Sequence, residues 1–473
     1  MPAKILSFTR THKSFLILFL AIAFLRITLV PELFFFGIDE EYQSFLGWSI
    51  VKDFHLKWIG LSAADTGFYV GPGLVYLHAL LLFLSNGDPI SLAYAAAGIG
   101  VTTTGLIYFV TKSVFGDRPA LIAMTLYGFS SFMNIYDRKF WNPTFALLIS
   151  VLMFYSLYKA YKNERWWIAV AFLLGVIVHI HASLFVYVLI VPILLFSYKK
   201  YAKSKLKLST LILSFGTFIA IYSPLIVYDL NKNFENLKTP LRLLARGGSG
   251  GGGLQIDLLS NTITQALTTQ VNTLSLLILF ILTACVIFVI YQNRSKYEYI
   301  LLFVLTAIYL LLFLLFPGKI LDYYLLGVIP FVMILLALFF EKIPWIALFP
   351  IMAIFVYLNI SSFYRYPQTF GLQEKKEFIQ KISPYLVGKS FYLDTEGEYL
   401  YNGGWRYLFK MYGERPVQSR ADDMFGWIYP DELSQDRAEY TVVITERSEV
   451  SDDPQALQVV RSGNYTASIY EAK

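Results

Sequence analysis

Long apolar runs dominate the first 363 positions, broken by short polar stretches. Runs long enough to cross about 30 Å of hydrocarbon occur at 14–36, 89–111, 118–136, 143–160, 166–182, 183–198, 208–228, 271–291, 298–316, 321–340 and 345–363. The pattern predicts an α-helical polytopic membrane protein with about eleven transmembrane helices. A further run at 68–84, "FYVGPGLVYLHALLLFL", carries Gly71, Pro72, Gly73 and His78. After residue 363 the pattern changes. A polar helical stretch ("EKKEFIQKISPYL"), strand-like runs ("SFYLD", "YTVVIT") and a hairpin pattern ("LQVVRSGNYTASIYE") predict a small soluble α/β domain over 364–473.

The loops orient these segments. "YKKYAKSKLK" holds Lys199, Lys200, Lys203, Lys205 and Lys207 with no acid, which places it in the cytoplasm. The N-terminus, with Lys4, Arg10 and Lys13, falls on the same side. An even number of crossings must separate the two, so 68–84 reads as a partly embedded helix on the outer face. The first outer loop, 37–88, is acid-rich: Asp39, Glu40, Glu41, Asp53, Asp65 and Asp88 against Lys52 and Lys57. A second long outer loop, 229–270, includes "RGGSGGGG", which reads as a linker or mobile flap. Domain 1–363 is thus membrane-embedded, and domain 364–473 lies outside it.

Composition agrees. The 473 residues are 56% hydrophobic and 15% charged, and the mean hydropathy is +0.55. Aromatics reach 17%, with many Tyr and Trp beside the apolar runs, as interfaces favour. The net charge of +6 sits largely in short loops, so it orients the chain and does not indicate nucleic-acid binding. The lone Cys285 provides neither a disulfide nor a Cys metal site. The first run is too long for a signal-peptide core and reads as a retained helix.

Candidate chemistry gathers at the outer boundary. "FFFGIDEEYQSF" places Asp39, Glu40 and Glu41 directly after the first run, at the start of a stretch with the spacing of a surface-lying amphipathic helix. They fit helix capping, and equally a carboxylate acting as base or metal ligand at headgroup depth. "YDRKFWNPTF" puts Asp137, Arg138, Lys139, Trp141 and Asn142 in one short outer loop, either an interfacial anchor or a second polar cluster facing the first. His179 and His181 are two apart, a spacing that argues against a shared metal on a helix. "FPGKILDYYLLGVIP" offers Lys319, Asp322, Tyr323 and Tyr324, with Lys319 suited to an anionic headgroup. Arg26 lies well inside the first run, where a partnered or functional role is the default.

The order of these parts resembles the GT-C class of membrane glycosyltransferases, which includes protein O-mannosyltransferases, the lipid A aminoarabinose transferase and oligosaccharyltransferases. "FLRITL" is followed by "GIDEEYQ", then by "DRKFWNP" and "KILDYYLLGVIP". The resemblance covers roughly 14–363 and is nearest to bacterial mannosyltransferase-like members. It implies a polyprenyl-phosphate-sugar donor, a glycan, lipid or protein acceptor, and a bacterial plasma membrane location with the C-terminal domain extracytoplasmic. Asp39 and Glu40 match the family's acidic motif, with Asp39 as base or as ligand of a divalent cation. Arg138, Lys139 and Lys319 are candidates for the donor phosphate, and Asp137, Asn142, His181, Tyr323 and Tyr324 for substrate contact. The second loop departs from the family: Thr144 follows Pro143 and the nearest acid is Asp137, which counts against a two-acid metal site. A transporter or lipid flippase is the main alternative, although its charges would be expected near the bilayer midplane. A non-catalytic envelope scaffold is the second alternative.

Overall fold

The structure is a computed structural model that describes residues 13–62, 66–202, 205–245, 254–269, 275–316, 320–367, 370–396, 403–434, 437–446 and 453–472. Each predicted apolar run is helical over most of its described residues. Seven helices among the described residues are long and apolar enough to span a bilayer unaided: Ile90–Phe115, Thr144–Lys162, Leu208–Asn231, Ser275–Asn293, Tyr297–Leu314, Asp322–Phe340 and Trp345–Arg365. The other runs fold as shorter helices or are split. Large apolar side chains such as Phe215, Phe280 and Ile346 point outward from the long helices, as they would toward lipid. The chain is a multi-pass membrane protein.

Two predicted runs are interrupted, for local reasons. The first run is helical over Lys13–Ile27, then breaks at Leu29, which is left-handed with φ 58°, before Pro31 opens the short Val30–Leu33 turn. Proline and the residue before it cannot continue the preceding helix. The 118–136 run divides at Ser130 into Asp117–Phe129 and Ser131–Tyr136. There the Ser130 hydroxyl accepts the Met133 amide at 3.4 Å and donates to the Ala266 carbonyl at 2.7 Å.

The first outer loop folds into two helices. Ile38–Asp53 is not a helix resting one face on lipid: Glu40, Glu41, Gln43, Ser44, Phe45, Leu46, Gly47 and Ser49 are all buried. It packs on Gly73–Leu84, where the backbone of Gly47 meets His78 and Ala79. Gly73–Leu84 has 12 residues, about 18 Å of helix, too short to cross the hydrocarbon. The second long loop is largely helical too, with Glu235–Ala245 and Ile256–Thr268. Its glycine run lies outside the described residues.

The C-terminal region builds a five-stranded sheet in the order β2-β1-β3-β5-β4. The strands are β1 (Phe391–Thr395), β2 (Gln418–Ser419), β3 (Tyr440–Glu446), β4 (Gln458–Ser462) and β5 (Tyr465–Glu471). β1 runs parallel to β2 and β3, with Leu393 opposite Val442. β3 and β4 flank β5 in antiparallel fashion, with Ile444 opposite Ala467. The β4–β5 turn uses Gly463 at φ 59°, as a tight hairpin favours. Asn464 in that turn donates through its amide (2.6 Å) and its side chain (2.8 Å) to Glu374 on the Leu372–Ile382 helix.

Two large apolar clusters result. One fills the helical bundle, around residues such as Phe154, Tyr187, Leu305 and Met333. The other is shared between the ends of the chain. It unites Phe34, Phe36, Phe45 and Leu46 with Phe378, Trp405, Tyr407, Phe409 and Tyr465.

Candidate functional site

A cavity of about 620 Å³ opens where the 37–88 loop, the 136–143 loop, one set of helix ends and the C-terminal region meet. Its walls come from parts far apart in sequence. Ile38, Asp39 and Tyr42 stand on the first turns of the Ile38–Asp53 helix, and Trp141, Asn142 and Pro143 on the 136–143 loop. His181 and Ala182 follow the Trp166–Ile177 helix, and Tyr323 and Tyr324 lead into a late span. Ser62, Tyr69, Met424, Phe425 and Trp427 complete it.

Asp39 reaches this cavity because Gly37 ends an extended segment and starts the helix. Glu40, one residue on, points the other way. Its Oε2 accepts the Gly37 amide at 3.1 Å, the returning half of a capping box. Burial raises the Glu40 carboxyl to about 6, partly opposed by the charge of Lys139. Glu41 is buried as well and accepts the amides of Gly404 and Tyr407, each at 2.9 Å. Burial pushes its carboxyl upward too, against those two amide bonds. Three adjacent acids therefore have three environments: a cavity wall, a cap on their own helix, and a cap on another.

The 136–143 loop divides in the same way. Asn142 donates from Nδ2 to the Ile180 carbonyl at 2.6 Å, which fixes its amide and leaves buried Oδ1 without a protein partner. Trp141 Nε1 and Ser62 Oγ, also on the cavity wall, are buried without protein partners. Three unsatisfied polar atoms thus belong to residues around one cavity. Lys139 lies 3.9 Å from the Trp141 ring centroid and 5.5 Å from that of Phe35, half-buried behind the wall.

Two proposed contacts turn inward. Asp137 is buried and ion-paired to Arg26, and Tyr127 donates its hydroxyl to the same carboxylate at 3.3 Å. Arg138 is fully buried, with Nη2 donating to the carbonyls of Leu25 and Thr28, both at 2.6 Å, and its guanidinium over the Phe363 ring. Both hold the first helix against the 136–143 loop, and neither lines the cavity. The intramembrane Arg26 is thus partnered, as its position in the sequence demanded.

His181 accepts the Ser183 amide at Nδ1 (3.2 Å), which leaves the proton on Nε2, beside the Tyr323 and Tyr324 rings. His179 serves the scaffold. Its Nδ1 accepts the Gly73 amide at 3.3 Å and its Nε2 donates to the Ile221 carbonyl at 2.9 Å. Asp322 accepts the Tyr136 hydroxyl at 2.6 Å and stays off the wall. Lys319 lies outside the described residues. Among the described residues no three His, Cys, Asp or Glu side chains converge where they could hold a metal ion.

Of the residues singled out in the sequence, Asp39, Trp141, Asn142, His181, Tyr323 and Tyr324 meet at the cavity. Tyr42, Tyr69 and the Met424–Trp427 wall carry no sequence signal, since only folding brings them to Asp39.

This arrangement is similar to known proteins in part of its sequence and in its fold. The family described as dolichyl-phosphate-mannose-protein mannosyltransferase matches residues 70–228, a stretch that holds Asn142 and His181 and begins after Asp39. Among solved structures, ArnT from Cupriavidus metallidurans bound to undecaprenyl phosphate superposes with a TM-score of 0.64 at 11% identity, over 96% of this chain and 98% of that one. Its apo state gives the same TM-score, over 97% and 98%. The apo oligosaccharyltransferase from Archaeoglobus fulgidus gives 0.53 at 13% identity, over 90% of this chain and 69% of that one. At such identities the likeness is one of fold. A comparison with curated protein sequences gives no match.

Proposed function

We propose that the protein moves a sugar from a polyprenyl-phosphate donor to an acceptor hydroxyl at the outer face of the membrane, with Asp39 as general base. The observation that carries this reading is Asp39 on the wall of a large, mainly aromatic and aliphatic cavity, in a chain whose fold is similar to that of ArnT over nearly its full length. The ArnT structure holds undecaprenyl phosphate, and a donor of that chemistry suits this geometry. Its tail stays in lipid while the sugar-phosphate bond reaches the headgroup-level cavity.

The residues divide the work as follows. Asp39 takes the proton from the acceptor hydroxyl as that oxygen attacks the anomeric carbon. The bond from that carbon to the phosphate oxygen breaks, and the lipid phosphate leaves with the electron pair. Direct displacement inverts the anomeric centre. Phosphate is a good leaving group and needs positive charge more than a proton. Lys139 and Lys319 supply that charge. The Trp141 and His181 ring N–H groups, Asn142 Oδ1 and the hydroxyls of Tyr323 and Tyr324 orient the sugar. Residues 1–363 form the catalytic part, and 364–473 an extracytoplasmic unit, with the N-terminus in the cytoplasm of a bacterial plasma membrane. The acceptor is a glycan, a lipid or a protein.

The test uses purified protein in detergent with radiolabelled undecaprenyl-phosphate sugars and a membrane-lipid and glycan acceptor mixture. Release of lipid phosphate with sugar transfer supports the reading. Asp39→Asn should lower transfer by about 10²–10⁴-fold with folding intact. Full activity of that variant would remove Asp39 as the base. Vesicle transport of the donor without bond cleavage would make the protein a transporter.

A further inference from the structure

The residues on either side of Asp39 are gripped by the far end of the chain. Glu41 Oε2 accepts the Gly404 amide and Oε1 the Tyr407 amide, both at 2.9 Å. These amides open the Trp405–Tyr412 helix, so a carboxylate on one helix caps the positive end of another. On the other side of Asp39, the fully buried Lys375 donates to the Phe36 carbonyl at 3.1 Å and to the Gly403 carbonyl at 2.8 Å. Its ammonium lies 4.7 Å over the Trp405 ring. The Leu372 amide donates to the Phe34 carbonyl at 2.8 Å. Positions 34, 36 and 41 are thereby tied to residues 372, 375, 403, 404 and 407.

The contact is too close for side chains. A Cβ on Gly403 would sit 2.5 Å from the Ile38 amide nitrogen, and one on Gly404 would sit 2.6 Å from the Phe36 carbonyl oxygen. Gly404 also has φ 91°, which other residues rarely adopt. Backbone therefore meets backbone at the turn that aims Asp39 into the cavity. The same C-terminal unit supplies the Met424–Trp427 wall opposite that turn.

We infer that Glu41 and Lys375 are positioning residues for Asp39, and that through them the C-terminal unit sets the geometry of the catalytic turn. The inference rests on the reading of Asp39 as base. Neither residue lines the cavity. Their effect is on where the Asp39 carboxylate stands, and a displacement of about 1 Å in such a group can cost about 10²-fold in rate.

A double-mutant cycle tests it on the full-length protein, with transfer rates normalised to the donor-binding fraction. Glu41→Ala should lower kcat by about 10²-fold and leave the donor KM within about twofold. Asp39→Asn should then cost a smaller factor in the Glu41→Ala background than in the native chain, because the base is already misplaced. Glu41→Gln keeps one acceptor oxygen and should recover part of the rate. If Glu41→Ala does not fold, Lys375→Met, which keeps the packing on Trp405, carries the same cycle. An equal Asp39→Asn factor in both backgrounds overturns the inference, since simple loss of folded protein would give that result. No Asp39→Asn effect in the otherwise native chain overturns the base assignment itself, which separates the two failures.

Discussion

At the scale of single residues, Asp39 and Glu40 share the acidic motif in the sequence with Glu41 beside them, and all three differ completely in the fold. Side chains one residue apart on a helix point about 100° apart, so neighbours meet different surroundings. Glu40 illustrates the consequence. Its carboxyl is buried and sits at about 6, above the ordinary 4.5, chiefly through desolvation. The fold therefore holds the protonated form more tightly than the unfolded chain does. That contribution is complete below pH 4.5 and is lost as pH rises through about 6, with a size of about 2 kcal/mol. Glu40→Gln removes the ionisation while keeping an acceptor for the Gly37 amide. It should raise stability at pH 7 by about 2 kcal/mol and flatten the pH dependence between 4.5 and 6. Thermal unfolding in detergent at pH 5 and pH 7 reads both effects, and a Gln variant less stable at pH 7 would contradict the assignment.

At the scale of elements, a buried electrostatic network pins the first helix to the 136–143 loop. Arg26 pairs with Asp137, and Arg138 covers the carbonyls that the break after Ile27 leaves open. Removing one partner of such a pair strands a buried charge and costs about 3–5 kcal/mol, whereas replacing both with apolar groups costs much less. Asp137→Ala should therefore unfold at a markedly lower temperature than the Arg26→Met/Asp137→Leu double variant. Equal losses would show that the pair is not the fastening. The need for a partner at Arg26 was legible in the sequence, because a charge inside an apolar run is costly alone. Its identity was not. "DRK" reads as an exposed loop, and only the end of the Lys13–Ile27 helix beside it turns Asp137 and Arg138 inward. The helices themselves were legible, because apolar length is a property of the chain. Their breaks at Leu29 and Ser130 depended on a left-handed residue before proline and on a serine bonded to a distant helix.

At the scale of the whole molecule, the two ends of the chain share one apolar cluster. Phe36 and Phe45 are buried against Tyr407 at ring-centroid distances of 5.8 and 5.2 Å. Each such ring buries roughly 150–250 Å², so loss of the C-terminal unit would expose an apolar patch of several hundred Å². A chain cut after residue 363 should run as aggregate on size-exclusion chromatography in a detergent where the full protein is monodisperse. A monodisperse, donor-binding truncation would show instead that the membrane part closes on itself.

The sequence by itself determined the membrane class, the positions of the apolar helices, the α/β character of the C-terminal region and the gathering of polar residues at one boundary. Those follow from composition and periodicity, which act locally along the chain. Only the tertiary structure decided which of three adjacent acids faces the cavity, that Asp137 and Arg138 belong to the scaffold, and that Tyr42 and Trp427 share a wall with Asp39. Those outcomes depend on contacts across hundreds of residues. There the cost of burying a charge or an amide without a partner selects one packing, and no local pattern encodes that choice.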